Sequence, residues 1–365
     1  MMRSLETPHG TLDPPAFFPD ATRGVVRSLD AEDLEACGIQ GVMVNVFHLL
    51  TNPGARRVSD LGGIHRFMGW PGPVAADSGG FQVFSLLETS PGLGSVSPKG
   101  FTWRHEKGGK KILLTPEKCV RAQLRLRADI LFCLDYCTRP EDPPEKQRES
   151  VDLTLRWAKK CRETFDRALE EKKYPRGKRP LLFAVVQGGE DGNLRRECAE
   201  KLLEIGFDGY GYGGWPISAE GSLSDSVAMV SELTPPDLPR FALGIGKPEN
   251  IVKAFRAGYQ LFDCVIPTRD ARHLRLYVFK ERPSQSSLTS ADFYQCLYLQ
   301  DKKYMNDKKP LEEDCDCLCC RRYSRAYLYH LFKIGDGLAG RLATIHNLRF
   351  YRRLMKALAS IAEKR

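Results

Sequence analysis

The chain has 365 residues, 42% hydrophobic and 28% charged, with a net charge of +9. No run of eighteen apolar residues offers a membrane span, and the composition is that of a soluble globular protein with room for one large barrel or two ordinary domains. The N-terminal "MMRSLETPHGTLDPP" is polar and Pro-rich, without the apolar core of a signal peptide, so a cytoplasmic location is expected.

One unit recurs along the chain: an apolar strand, a polar or Gly-rich corner, then a helical stretch. The predicted strands are 15–21, 41–47, 72–78, 129–137, 181–189, 209–215, 240–246 and 259–267. Between them, residues 149–171 place Val151, Leu155, Ala158, Cys161, Phe165 and Leu169 at helical steps. Two further helices are predicted to stop at Gly206 and Gly258. Eight strands alternating with helices predict an α/β fold, a (β/α)8 TIM barrel. An open doubly wound sheet is disfavoured because no GxGxxG follows the first strand. Residues 87–116 are expected to form a Gly/Lys-rich loop region. A zinc-binding subdomain is expected to be inserted near the C-terminus. The division is then 1–279 for the barrel body with its rim, and 280–365 for the subdomain and the C-terminal helices that complete the barrel.

In such barrels chemistry collects at the C-terminal strand ends. Those ends carry Asn45 and His48, Asp77 and Ser78, Asp135, Gln187 with Gly188 and Gly189, Gly213 and Gly214, Gly244, and Asp263. Buried carboxylates cost stability, so their gathering on one rim points to function. Paired carboxylates at an anomeric carbon are the usual equipment for glycosyl chemistry. Asp135 and Gln187 offer donors and acceptors in one plane, suited to the edge of a purine-like base, with Phe81 placed to stack on its face. Taken singly, Asp77 also reads as a cap for a helix beginning near Phe81, Gln187 as a partner of neighbouring backbone and the glycines as turns, but jointly these readings lose. Asp263 is followed by Arg269, Arg272, His273 and Arg275, and these cations are expected to hold it ionised.

Eight of the twelve cysteines lie scattered in apolar segments and read as reduced core residues. The other four stand in "DCDCLCC", as Cys315, Cys317, Cys319 and Cys320. Three such thiolates with a helical histidine, His346, form a closed Cys3His zinc site of structural type. The spacing alone leaves Cys319 and Cys320 as alternatives. From Arg321 to Arg365 eleven Lys and Arg residues face only Asp336 and Glu363, a basic stretch suited to a polyanion such as nucleic acid.

The stretches "ADSGGFQVFSL", "VVQGG", "GYGYGG", "LGIGKPENI", "FDCVIPTRDAR" and "CDCLCC…SRAY…HN" resemble those of the tRNA-guanine transglycosylase family, of bacterial length, and the resemblance covers nearly the whole chain. It implies a barrel with a zinc subdomain, and exchange of the wobble guanine of tRNA for a 7-deazaguanine base. Asp263 then matches the covalent nucleophile and Asp77 the general acid/base. Phe81, Asp135, Gln187, Gly214 and Trp215 match base-binding positions, and Thr268, Arg269 and Arg272 face the RNA. Cys315, Cys317, Cys320 and His346 match the ligands of one structural Zn2+, which places Cys320 rather than Cys319 on the metal. A homodimer is implied, in which one subunit acts on the tRNA and the other helps to hold it. The RNA-binding C-terminal domain of archaeal relatives is expected to be missing.

The chain departs from the family pattern at Trp215-Pro216-Ile217, at His273-Leu274, at Tyr136 in "DYC" and at Asp20, where the first strand usually ends in an apolar residue. The favoured base is 7-aminomethyl-7-deazaguanine. The alternative is queuine, against which bulky Ile217 and Cys137 argue. A non-catalytic tRNA-binding subunit conflicts with retention of both Asp77 and Asp263. An unrelated glycosidase needs neither the zinc hairpin nor the basic tail.

Overall fold

The computed structural model describes residues 4–104, 108–174, 178–218, 221–290 and 292–362. Residues 105–107 of the expected loop region, and Glu363, Lys364 and Arg365 of the basic stretch, lie outside the described residues.

Eight parallel strands form the central sheet. In chain order they are β1 (Ala16–Pro19), β2 (Val42–Asn45), β3 (Val74–Asp77), β4 (Ile130–Phe132), β5 (Leu181–Val186), β6 (Gly209–Tyr212), β7 (Arg240–Ala242) and β8 (Leu261–Cys264). Each lies inside a predicted segment. Neighbours in sequence are neighbours in space, and β8 returns to pair with β1, setting Asp263 opposite Phe18. The remaining seam, between β1 and β2, is closed by a parallel bridge at Asp20 and Met43. The result is the predicted barrel.

The strands read as continuous apolar runs because both faces are covered, as parallel sheets require. Inside, Phe18, Met43, Ile130, Phe132, Phe183, Val185, Phe241 and Leu261 fill the barrel, with Leu12 entering from the hairpin Leu5–Thr7/Gly10–Leu12. The surrounding helices turn apolar faces inward and end on local signals. Asp191 accepts hydrogen bonds from the Asn193 and Leu194 amides to start Gly192–Ile205, which stops at Gly206 as expected. The helix Pro248–Arg256 stops slightly early, capped by Ala257 rather than Gly258.

The 87–116 region differs from expectation. It holds a three-stranded antiparallel sheet, Gly94–Ser97, Gly100–Trp103 and Ile112–Leu114. Phe101 and Trp103 anchor it in the core, which short alternating strands around glycines did not announce.

After β8 the helix Ile266–Arg272 leads into an antiparallel pair, Arg275–Phe279 with Tyr294–Tyr298. The C-terminal helix Gly337–Ala362 returns to the barrel. Arg341 makes a bidentate pair with Asp33 at 2.6 and 2.8 Å, and Tyr351 Oη donates to the Gly246 carbonyl at 2.6 Å. Among the described residues no helix is long and apolar enough to cross a membrane.

Candidate active site and metal centre

A cavity of about 480 Å3 opens at the C-terminal strand ends, within the size usual for a small-molecule site. Its lining includes Asp20, Asp77, Phe81, Asp135, Gly214, Trp215 and Asp263. Five strand ends thus deliver carboxylate or loop groups to one volume, as expected of a barrel.

Asp77 ends β3, in register with Asn45 of β2. Asn45 Nδ2 donates to Asp77 Oδ2 at 2.5 Å. Asp77 caps no helix: Gly80–Thr89 begins at Gly79, without a side-chain cap. Gly79 has φ +84°, and a Cβ there would stand 2.8 Å from the Phe47 backbone nitrogen, so the turn that presents Asp77 admits only glycine. Burial pushes the Asp77 carboxyl up to about 6, against hydrogen bonds from Gly79, Gln82, Ser78 and Asn45.

Asp135 follows β4. Gln187, at the end of β5 and fully buried, donates through Nε2 to Asp135 Oδ2 at 2.6 Å. Ser78 Oγ reaches Asp135 Oδ1 at 3.4 Å. Burial raises the Asp135 carboxyl to about 7, with the Gln187 hydrogen bond opposing and the Asp77 charge adding to the shift. Phe81 and Trp215, both more than a third exposed, stand 5.5 Å apart at 39° on the cavity wall.

Asp263 lies on β8 and accepts the Gly244 amide at 3.1 Å. Its carboxyl is raised to about 7, by burial first, then by the charges of Asp77 and Asp20, against the Gly244 hydrogen bond. The expectation that the following cations hold it ionised is therefore corrected. The helix Ile266–Arg272 turns them elsewhere: Arg269 is exposed and lies 3.7 Å from Asp270, and Arg272 Nη1 donates to the Thr268 carbonyl at 2.8 Å. Burial, Arg27 and Arg269 lower the Arg272 guanidinium, while Asp20 favours its charged form. Thr268, expected at the RNA face, is buried. Its hydroxyl donates to the Val265 carbonyl at 3.1 Å, which props the first turn of this helix.

Arg195 escaped sequence reasoning, because on an amphipathic helix it reads as a surface cation. It is fully buried. Its guanidinium donates to the carbonyls of Val186 at 2.6 Å, Gly213 at 2.8 Å and Gly189 at 2.9 Å, and packs over the Tyr212 ring. It thereby ties together the loops that carry Gln187 and Gly214. Gly214 has φ +100°, accessible to glycine, and its Cβ position faces Arg195 Nη2 at 3.3 Å.

Away from the cavity, Cys315, Cys317, Cys320 and His346 bring their ligand atoms within 4.8 Å of one another. The three Sγ atoms lie 3.8, 3.7 and 3.3 Å from His346 Nδ1. A tetrahedral zinc with ordinary Zn–S and Zn–N bonds sets that edge at roughly 3.6 Å, so the donor set fits the ion. His346 Nε2 donates to the Tyr277 carbonyl at 2.7 Å, which leaves Nδ1 as the ligand nitrogen. Cys319 stands outside the group and is fully buried. The neighbouring Asn347 accepts from the Tyr277 amide and donates to the carbonyls of Pro267 and Arg275.

A barrel with a carboxylate-lined mouth and a Cys3His cluster able to hold a metal ion defines a (β/α)8 enzyme class with its site at the C-terminal strand ends. The family model described as Queuine tRNA-ribosyltransferase matches residues 2–365. The chain is 39% identical to the queuine tRNA-ribosyltransferase of Psychrobacter sp. (strain PRwf-1), over 96% of this chain and 86% of that protein. It is also 39% identical to that of Actinobacillus pleuropneumoniae serotype 3 (strain JL03), over 97% and 86%, and to that of Syntrophobacter fumaroxidans, over 98% and 89%. The chain belongs to the queuine tRNA-ribosyltransferase family.

Proposed function

We propose that this protein is a tRNA-guanine transglycosylase that exchanges the anticodon wobble guanine for 7-aminomethyl-7-deazaguanine in the cytoplasm. The observation that carries this reading is the meeting of Asp77, Asp135 and Asp263 in one cavity, with Asp135 held from behind by the buried Gln187.

Asp263, once ionised, forms a bond to C1′ of the ribose as the bond from C1′ to the guanine nitrogen breaks. Guanine leaves with a proton from Asp77. The ribosyl-Asp263 ester stays joined to the tRNA. The incoming base then gives its proton to Asp77 and takes C1′ back from Asp263. A carboxyl near 6 suits Asp77 to both transfers. Asp135, Gln187 and Gly214 bind the base edge, and Phe81 and Trp215 its face. Arg269 and Arg272 bind phosphates of the flipped loop, with Thr268 supporting their helix. A guanine drawn from a loop costs only a few kcal/mol of unstacking. Cys137 and Ile217 line the cavity, which favours the small aminomethyl substituent over queuine.

Cys315, Cys317, Cys320 and His346 would hold one structural Zn2+, which takes no part in the exchange. A homodimer, with the second subunit steadying the tRNA, belongs to the same reading.

The test is incorporation of radiolabelled guanine into unmodified tRNA, competed by each 7-deazaguanine. With no second base offered, a denaturation-resistant protein–tRNA adduct is expected, absent in Asp263→Asn and slow to form in Asp77→Asn. An adduct that persists in Asp263→Asn would reassign the nucleophile.

A further inference from the structure

Asp20 is a fourth carboxylate in the cavity, and the exchange just described gives it no task. It stands at the closing seam of the barrel, two residues beyond Phe18, the β1 partner of Asp263. Its Oδ1 accepts both the Thr22 amide, at 3.1 Å, and the Thr22 hydroxyl. Among the described residues Oδ2 makes no hydrogen bond, and it is not shut away from solvent. One oxygen is thus committed to the turn, and one is left to accept from a ligand.

The strand order fixes what that ligand group is. Around the barrel the sequence is β1, β8, β7, β6, β5, β4, β3, β2. Asp135, Gln187 and Gly214 follow β4, β5 and β6. Asp20 follows β1, directly across the mouth from β5, and Asp263 sits beside it on β8. A nucleoside whose base edge meets Gln187 and whose C1′ meets Asp263 extends its sugar toward β1. An internal nucleotide has its 3′ and 5′ oxygens in phosphodiesters, which a carboxylate repels. The only hydroxyl donor left on that sugar is the 2′-OH. The charge of Asp20 favours the charged form of Arg272.

We propose that Asp20 Oδ2 accepts a hydrogen bond from the 2′-hydroxyl of the nucleotide being exchanged, making Asp20 a specificity-determining residue that reads ribose against deoxyribose. This rests on the transglycosylase reading above. Recognition of RNA at a single position through its 2′-OH is a general device.

The experiment measures labelled-guanine incorporation into an anticodon stem-loop RNA, and into the same strand with 2′-deoxyguanosine at the exchanged position only. The natural protein should prefer the ribo strand by about 10- to 100-fold in kcat/KM, the range for a hydrogen bond to a charged acceptor. Asp20→Ala should bring the ratio to one or below. Asp20→Asn keeps an oxygen for the Thr22 turn and replaces the free acceptor by an amide, so it should also reduce the ratio while preserving the fold. Equal use of both strands by the natural protein overturns the inference, as does a ratio unchanged in both variants, and the exchange reading survives either result. No incorporation into either strand overturns the exchange reading, and the role of Asp20 falls with it.

Discussion

Gln187 Nε2 donates to Asp135 Oδ2 at 2.6 Å, and Gln187 Oε1 is left buried without a partner among the described residues. A buried amide oxygen without a donor is costly, so the pair is poised for a ligand that brings one. In Asp135→Asn the amide loses its charged acceptor, and both the orientation of Gln187 and the recognition of the base edge suffer. The KM for guanine should rise roughly 10- to 100-fold, while the KM for tRNA changes much less. Steady-state exchange with each substrate varied in turn checks this. An equal rise in both constants would count against a base-reading role.

The raised carboxyls make activity and stability oppose each other. Asp263 must be ionised to attack and Asp77 protonated to release guanine, so kcat/KM for tRNA should climb about tenfold per pH unit below about 6, stay near its maximum between about 6 and 7, and fall above about 7. For stability, the unfolded carboxyl releases its proton near 3.8 and the folded one near 7. Between these values the folded state holds more protons. The stability it contributes is complete below about 3.8 and is lost as pH rises through 7. Asp263→Asn should therefore raise Tm by ~1–3 °C at pH 7.5 and leave it almost unchanged at pH 4. Thermal unfolding of the two proteins at both pH values decides it, and a destabilised Asn variant at pH 7.5 would refute the strain.

All eight strand cores could be read from sequence, because a strand covered on both faces is an uninterrupted apolar run. Their ends could not. Asp20, held by a single bridge, and Asp135 fall outside the regular strands, where the apolar run no longer marks the chain's course. The Cys3His centre was legible because thiol spacing is a strong signal. The orientation of Arg269 and Arg272 was not, because proximity in sequence does not say which way a helix will turn its side chains. Arg195 illustrates the same limit. Its partners are three carbonyls from two other loops, and no pattern local to residues 192–205 announces them.

Cys317→Ala removes one of four donors from a centre that pins the C-terminal helix to the strand Arg275–Phe279. Metal binding coupled to folding is worth on the order of ten kcal/mol in small zinc domains. One zinc per chain is expected in the natural protein and almost none in the variant, which should be prone to aggregate. Elemental analysis alongside size-exclusion chromatography reads both. A natural protein without zinc would remove the centre.

Phosphate contacts by Arg269 and Arg272 should make tRNA affinity fall steeply with salt. Replacing either by Ala should reduce the slope of log K against log [salt] by about one and raise KM for tRNA more than for guanine. Filter binding across a salt series is sufficient. Unchanged slopes in both variants would move the RNA face elsewhere.

The bond between Asp33 and Arg341 spans 308 positions. Nearby, Cys37 Sγ donates to the Ile345 carbonyl across the same sequence distance. The first strand and the helix after it are therefore covered by a helix made 308 positions later. At ordinary translation rates, on the order of tens of seconds separate the emergence of these two segments. For that interval the apolar outer side of β1, ready to stick, waits on the ribosome without its cover. A nascent chain of this architecture has reason to depend on chaperones, and a truncation that removes the helix from Arg341 onward should behave as an unfinished barrel rather than as a shortened enzyme.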